Sequence, residues 1–95
     1  MSGVPEPSSA RFRREFKQLD RSSKAAFFAA YAQLISDLER GTVPALVLRV
    51  KQVVNSPDVW EFTWARNGRA TFSYTDDGSG LVLRRVGGHD IFRRP

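Results

Sequence analysis

The 95-residue chain contains no cysteine and only one histidine, His89. Without thiols there are no disulfide bridges, no thiolate metal sites and no cysteine nucleophile. One histidine among ten scattered carboxylates leaves too few ligands for a metal centre, and no cofactor is expected. No apolar run approaches the roughly 20 residues of a membrane span, and no signal sequence opens the chain, so a cytoplasmic protein without a membrane partner is expected. A chain this short forms one small domain with one core. It buries only about 60–65% of its unfolded surface, which confines any active site to a shallow groove.

Positive charge is what the chain has in quantity. Twelve arginines and three lysines face ten acids, for a net charge of +5. Arginine suits planar, bidentate contact with phosphate. A basic small domain points to nucleic acid, or to an acidic partner protein that masks the same surface; solubility alone is the plainer explanation. With 41% hydrophobic and 12% aromatic residues the chain has enough apolar surface to fold.

Residues 1–8 make a poorly periodic start that is expected to be flexible, and residues 9–95 make a single domain. Ser8 or Ser9 can cap a first helix running to about Leu19, in which Phe12, Phe16 and Leu19 form one apolar stripe. Arg11, Arg14 and Lys17 leave that stripe and form a basic edge. A second helix is expected from about Ser23 to Arg40, capped by Ser22 or Ser23. Its stripe is Phe27, Tyr31, Leu34, Ile35 and Leu38, and Gly41 is its expected stop. From Leu46 the period changes to two. Strands are expected over Leu46–Val54, Val59–Ala65, Arg69–Tyr74 and Leu81–Val86, with turns at Asn55–Asp58 and Asp76–Gly80. The expected fold is α+β: an N-terminal helical hairpin packed on one face of a three- or four-stranded antiparallel sheet.

The hairpin around Arg66-Asn67-Gly68-Arg69 bears on function, because its register decides which side chains are left in water. A two-residue loop, pairing Arg66 with Arg69, would put Trp60, Phe62 and Trp64 opposite in face to Phe72 and Tyr74. A three-residue loop, with Gly68 left-handed, pairs Ala65 with Arg69 and Phe62 with Phe72, and gathers every large ring on one side. Burying such a ring contributes roughly 1.5–3 kcal/mol, more than a turn preference, so the second register is expected. The tryptophans then belong to the core rather than to a base-stacking surface. The other face carries Glu61, Thr63, Ala65, Arg69, Thr71 and Ser73 and is expected to be polar and open. Arg84 and Arg85 should split between faces, one of them joining Arg69. The pair Gly87-Gly88 lets the chain turn sharply before His89.

A helical hairpin, an aromatic-rich strand ending in the step Gly68-Arg69, and a last strand entering Val86-Gly87-Gly88-His89 together resemble the RelE/ParE toxin superfamily. The resemblance spans about Ser9 to Arg94. It implies a bacterial toxin of a type II toxin–antitoxin pair, with a cognate antitoxin as partner. RelE-type members cut messenger RNA on the ribosome, whereas ParE-type members inhibit DNA gyrase. By resemblance, Arg69 falls on the arginine that contacts the scissile phosphate, His89 on the C-terminal histidine or arginine position, and Phe92 near a C-terminal tyrosine. Glu61 and Thr63 stand where RelE itself carries strand lysines, so a histidine-using subtype, similar to the YoeB or HigB-like toxins, fits better.

Metal-free RNA cleavage needs a base for the 2′-hydroxyl, a cation for the developing phosphorane and an acid for the departing 5′-oxygen. His89 can act as base or acid near neutral pH, oriented by Asp90. Arg69 and Arg85 (or Arg84) can hold the phosphate, and Glu61 is the partner base. Arg11, Arg14, Lys17, Arg66, Arg84, Arg93 and Arg94 are the expected RNA-binding residues. The competing expectations are a gyrase inhibitor that acts without chemistry and a non-catalytic RNA- or protein-binding domain of the same fold.

Overall fold

The structure, a computed structural model, describes residues 4–42, 45–78 and 80–88. Helix α1 (Ala10–Lys17) begins at Ser9. The Ser9 hydroxyl accepts from the Phe12 N–H at 3.0 Å and donates to the Arg84 carbonyl at 2.7 Å, so a single cap also fastens the helix to the sheet. Helix α2 (Arg21–Glu39) is capped by Asp20 rather than by Ser22 or Ser23. The Asp20 carboxylate accepts from the Ser23 N–H at 2.7 Å and from the Ser22 hydroxyl at 3.0 Å. A full negative charge at the positive end of the helix dipole outcompetes a neutral hydroxyl. At the other end Gly41 is left-handed (φ 67), with Gly41 N–H donating to the Leu38 carbonyl and Thr42 N–H to the Asp37 carbonyl. That pair of bonds is a Schellman stop.

The sheet is an antiparallel meander in the order β1-β2-β3-β4: Lys51–Gln52, Trp60–Ala65, Gly68–Tyr74 and Leu81–Gly87. The strand expected over Leu46–Val54 is mostly something else. A 3-10 turn occupies Leu46–Leu48, Arg49 is left-handed (φ 50), and only two residues pair. Tertiary anchoring overrides β propensity here. Leu48 is buried in the core while Leu46 is 92% exposed, and the carboxylate of Asp37 on α2 accepts from the Ala45 N–H at 2.9 Å, fixing where the segment starts.

Phe12, Phe27, Phe62 and Phe72 are fully buried between the helices and the sheet. Phe27 sits at the centre, with ring centroids 5.6 Å from Phe12, 5.5 Å from Phe16 and 5.8 Å from Phe62. The β2–β3 register differs from expectation by two residues. Trp60 pairs with Phe72, Phe62 with Ala70 and Thr63 with Arg69, while Ala65 pairs with Gly68 across a two-residue loop. A bulge at Trp64 absorbs the odd residue. A shift of two preserves the face of every side chain, so the rings still share the helix side as the burial argument required. Gly68 is not left-handed. It is needed because the Trp64 indole lies against it, and a Cβ there would sit 2.5 Å from two ring carbons.

A second bulge, between Thr71 and Phe72 on β3, leaves Arg84 as the extra residue of β4. Arg84 and Arg85 therefore do not split between faces. Leu83 and Val86 stay in the core on either side of them, and both arginines are kept out of it. Ahead of α1, the Leu83 N–H donates to the Pro7 carbonyl at 3.0 Å and the Ser9 N–H to the Leu83 carbonyl at 2.8 Å, so residues 7–9 run beside β4. Among the described residues no helix is long and apolar enough to cross a membrane.

Candidate nucleic-acid interface

The sheet face opposite the helices is less open than expected. Successive outer positions on β3 are Arg69, Thr71 and Ser73. Through the registers, the middle one belongs to a row across the sheet: Lys51, Glu61, Thr71, Arg85. This row is packed rather than bare, with Thr71 0% and Glu61 7% exposed. Its charges are matched at both ends. Lys51 Nζ lies 3.9 Å from Glu61 Oε1. Arg85 forms a bidentate pair with Glu15 of α1, its Nε 3.1 and 3.2 Å from the two carboxylate oxygens and its Nη2 bonded to Oε2. Glu15 also accepts from the Val86 N–H at 3.3 Å, so one carboxylate holds the side chain and the backbone of β4.

The row divides the face into two shallow grooves of about 500 and 510 Å³, each within the ~300–1,000 Å³ of small-ligand clefts. The first lies toward the β2–β3 hairpin and is lined by Arg49, Lys51, Glu61, Thr63 and Arg69 among others. Arg69 Nη1 donates to the carbonyls of Ala65, Arg66 and Gly68 at 2.9–3.2 Å. The guanidinium is thereby anchored at the hairpin while it faces the groove. Such a site offers Arg49 and Arg69 to an anionic group, beside the Lys51–Glu61 pair.

The second groove lies at the other end of the strands and is lined by Ser9, Arg11, Ser73, Val82, Arg84 and Arg85, with Ser56 and Val59 beneath. Arg11 and Arg84 are exposed. Neither Arg84 nor Arg85 joins Arg69 in the first groove, contrary to expectation, because the β4 bulge and the pair with Glu15 direct them away from it.

The remaining sequence-predicted residues are scattered. Arg66 lines an apolar depression with Ala26, Ala29 and Trp64 on the helix side. Arg14 and Lys17 are exposed on the last turn of α1 and line neither groove. His89, Arg93 and Arg94 lie outside the described residues. Gly87, two residues before His89 in sequence, pairs with Arg69.

Arg49, Lys51 and Glu15 are the site residues that sequence reasoning missed. Lys51 was legible as a cation one strand away from Glu61. Arg49 was not, because its place in the groove depends on a left-handed backbone after a 3-10 turn, which no pattern in Leu46–Val54 announces. Glu15 reads in sequence only as a polar residue on the wet side of α1.

No family model and no curated protein matches the sequence. Solved structures do match in fold. The RelB–RelE antitoxin–toxin complex from Methanococcus jannaschii superposes with a TM-score of 0.64 at 13% identity, covering 90% of this chain and 93% of that one. YafQ from E. coli gives 0.62 at 16% identity, covering 87% and 90%. The isolated E. coli RelE toxin gives 0.59 at 17% identity, covering 85% and 79%.

Proposed function

From the RelE-like toxin fold of this chain as premise, we propose that it is the toxin of a type II toxin–antitoxin pair and that it cuts messenger RNA without a metal ion. The observation that carries this reading is the pairing of Arg69 with Gly87. It sets the end of β4, two residues before His89 in sequence, beside the strand position of Arg69, which lines one groove with Glu61. Arg69, with Arg49, holds the scissile phosphate and its developing charge. His89 and Glu61 divide the proton transfers. One takes the 2′-hydroxyl proton as that oxygen attacks the adjacent phosphorus. The other protonates the 5′-oxygen as its bond to phosphorus breaks. The products are a 2′,3′-cyclic phosphate and a 5′-hydroxyl. Arg85, held by Glu15, keeps β4 in place. The ribosome presents the messenger, and a cognate antitoxin that covers the basic face silences the activity. Complexes with antitoxins among the fold neighbours support such a partner.

A second reading, an RNA-binding domain without cleavage, is favoured by the engagement of Arg69 Nη1 with three turn carbonyls. Induced expression in a bacterial host with transcript-end mapping separates the readings. Arrested growth with new transcript ends, both lost in His89→Ala, is the expected result. Arrest with intact transcripts and DNA-damage signalling would instead mark a gyrase inhibitor. A His89→Ala variant as toxic as the parent would overturn the nuclease.

A further inference from the structure

We infer that the second groove is a separate phosphate-binding subsite. It holds the backbone of the same RNA strand whose reacting phosphate lies at Arg69, and so rests on the RNA-cutting reading. Its lining contains Arg11 and Arg84, with Arg85 committed to Glu15, whereas the first groove holds the Glu61 carboxylate beside its cations. Chemistry belongs to the mixed groove and pure anion binding to the other. Arg11 and Arg84 are brought together by backbone rather than by chance. The Ser9 N–H donates to the Leu83 carbonyl and the Ser9 hydroxyl to the Arg84 carbonyl, stapling the first turn of α1 onto the β4 bulge. With the two backbones fixed relative to one another, an anion that binds both arginines has only their side chains to order. Arg69 and Ser73 mark the two grooves on one strand, four residues or about 13 Å apart. A lone phosphate or carboxylate would occupy one groove. A polymer with regularly spaced charge can occupy both, on either side of the neutralised Lys51–Glu61–Thr71–Arg85 row. Val59 and Val82 supply an apolar floor for a ribose or base.

The test uses the full chain carrying His89→Ala, so that the probe stays intact, with fluorescein-labelled oligouridylates of 2 and 12 nucleotides followed by anisotropy across a salt series. In that background Arg11→Gln with Arg84→Gln should weaken binding of the 12-mer by roughly tenfold or more and lower its salt slope by about 1.4, two phosphates at ~0.7 each. The dinucleotide, whose single phosphate occupies one groove at a time, should bind as before. Arg11→Lys with Arg84→Lys should restore the slope, and unchanged melting temperatures show that the fold survives. Binding of the 12-mer within twofold of the parent would overturn the subsite while leaving the RNA reading intact. Undiminished RNA binding with weakened binding of a polyglutamate peptide would assign the groove to a protein partner instead. A parent that binds neither oligonucleotide would overturn the subsite and the RNA reading together.

Discussion

Glu15→Gln should loosen the last strand from the first helix. The native carboxylate accepts from Arg85 Nε and Nη2 and from the Val86 N–H, and the side chains of the Arg85–Glu15 pair are only 13% and 23% exposed. Breaking a fully buried pair typically costs 3–5 kcal/mol, because one charge is left without its partner. Here some water reaches both groups, and glutamine keeps one acceptor, which brings the expected loss down to roughly 2–3 kcal/mol. For a domain of this size 1 kcal/mol is about 4–8 °C in melting temperature, so circular dichroism should record a drop of roughly 10–20 °C. A double-mutant cycle with Arg85→Gln isolates the pair, and the two substitutions together should cost little more than either alone. Additive losses, or a single-variant drop of only a degree or two, would refute the clamp. So would an Arg85→Gln protein that keeps its stability and loses all activity, since Arg85 would then be acting on substrate.

Gly68→Ala forces a methyl group into the Trp64 indole, which is itself held by its N–H to the Arg69 carbonyl at 2.9 Å. Such overpacking should cost about 1–3 kcal/mol and red-shift the tryptophan emission. Phe27→Ala removes the ring at the centre of the core and should cost about 3–5 kcal/mol, enough to leave a large unfolded fraction in urea titrations near 37 °C. Asp37 is buried, and the Ala45 N–H chiefly, with Gln33 and Arg40 adding to it against the opposing effect of burial, holds its carboxyl below the ordinary aspartate range. A depressed carboxyl contributes fully above the unfolded value of about 4 and loses its contribution as pH falls through the folded one. Melting curves between pH 6 and pH 2.5 should therefore show a shallower acid decline for Asp37→Asn than for the parent, starting from a less stable protein at pH 6.

Most of the architecture was legible because periodicity agreed with the caps at Ser9 and Gly41, although Asp20 rather than Ser22 or Ser23 caps α2. Phe12–Phe16–Leu19 and Phe27–Tyr31–Leu34 named the buried helix faces, and Gly41 ended α2 where a left-handed residue was needed. Errors arose where a single local feature decided the outcome. The bulge at Trp64 turned a three-residue loop into a two-residue one without moving any ring to the other face. The bulge at Arg84 kept two consecutive charges out of the core, where strict alternation would have buried one. An outer face read as open from Glu61 and Thr71 proved packed, because long side chains on neighbouring strands and on α1 lie across it. The site was half legible. Arg69 and Glu61 share a groove as expected, whereas Arg85 is committed to Glu15, a contact spanning seventy positions that no local pattern encodes.

The chemistry of the new RNA ends tests the central claim most directly. Purified protein, programmed ribosomes and a defined messenger would be incubated with excess EDTA, and the downstream fragment assayed for labelling by polynucleotide kinase without prior phosphatase treatment. Cleavage by the 2′-oxygen, with Arg69 at the phosphate, predicts a kinase-ready 5′-hydroxyl that forms despite the chelator and disappears in Arg69→Gln. A 5′-phosphate, a requirement for divalent metal, or full cleavage by Arg69→Gln would contradict it.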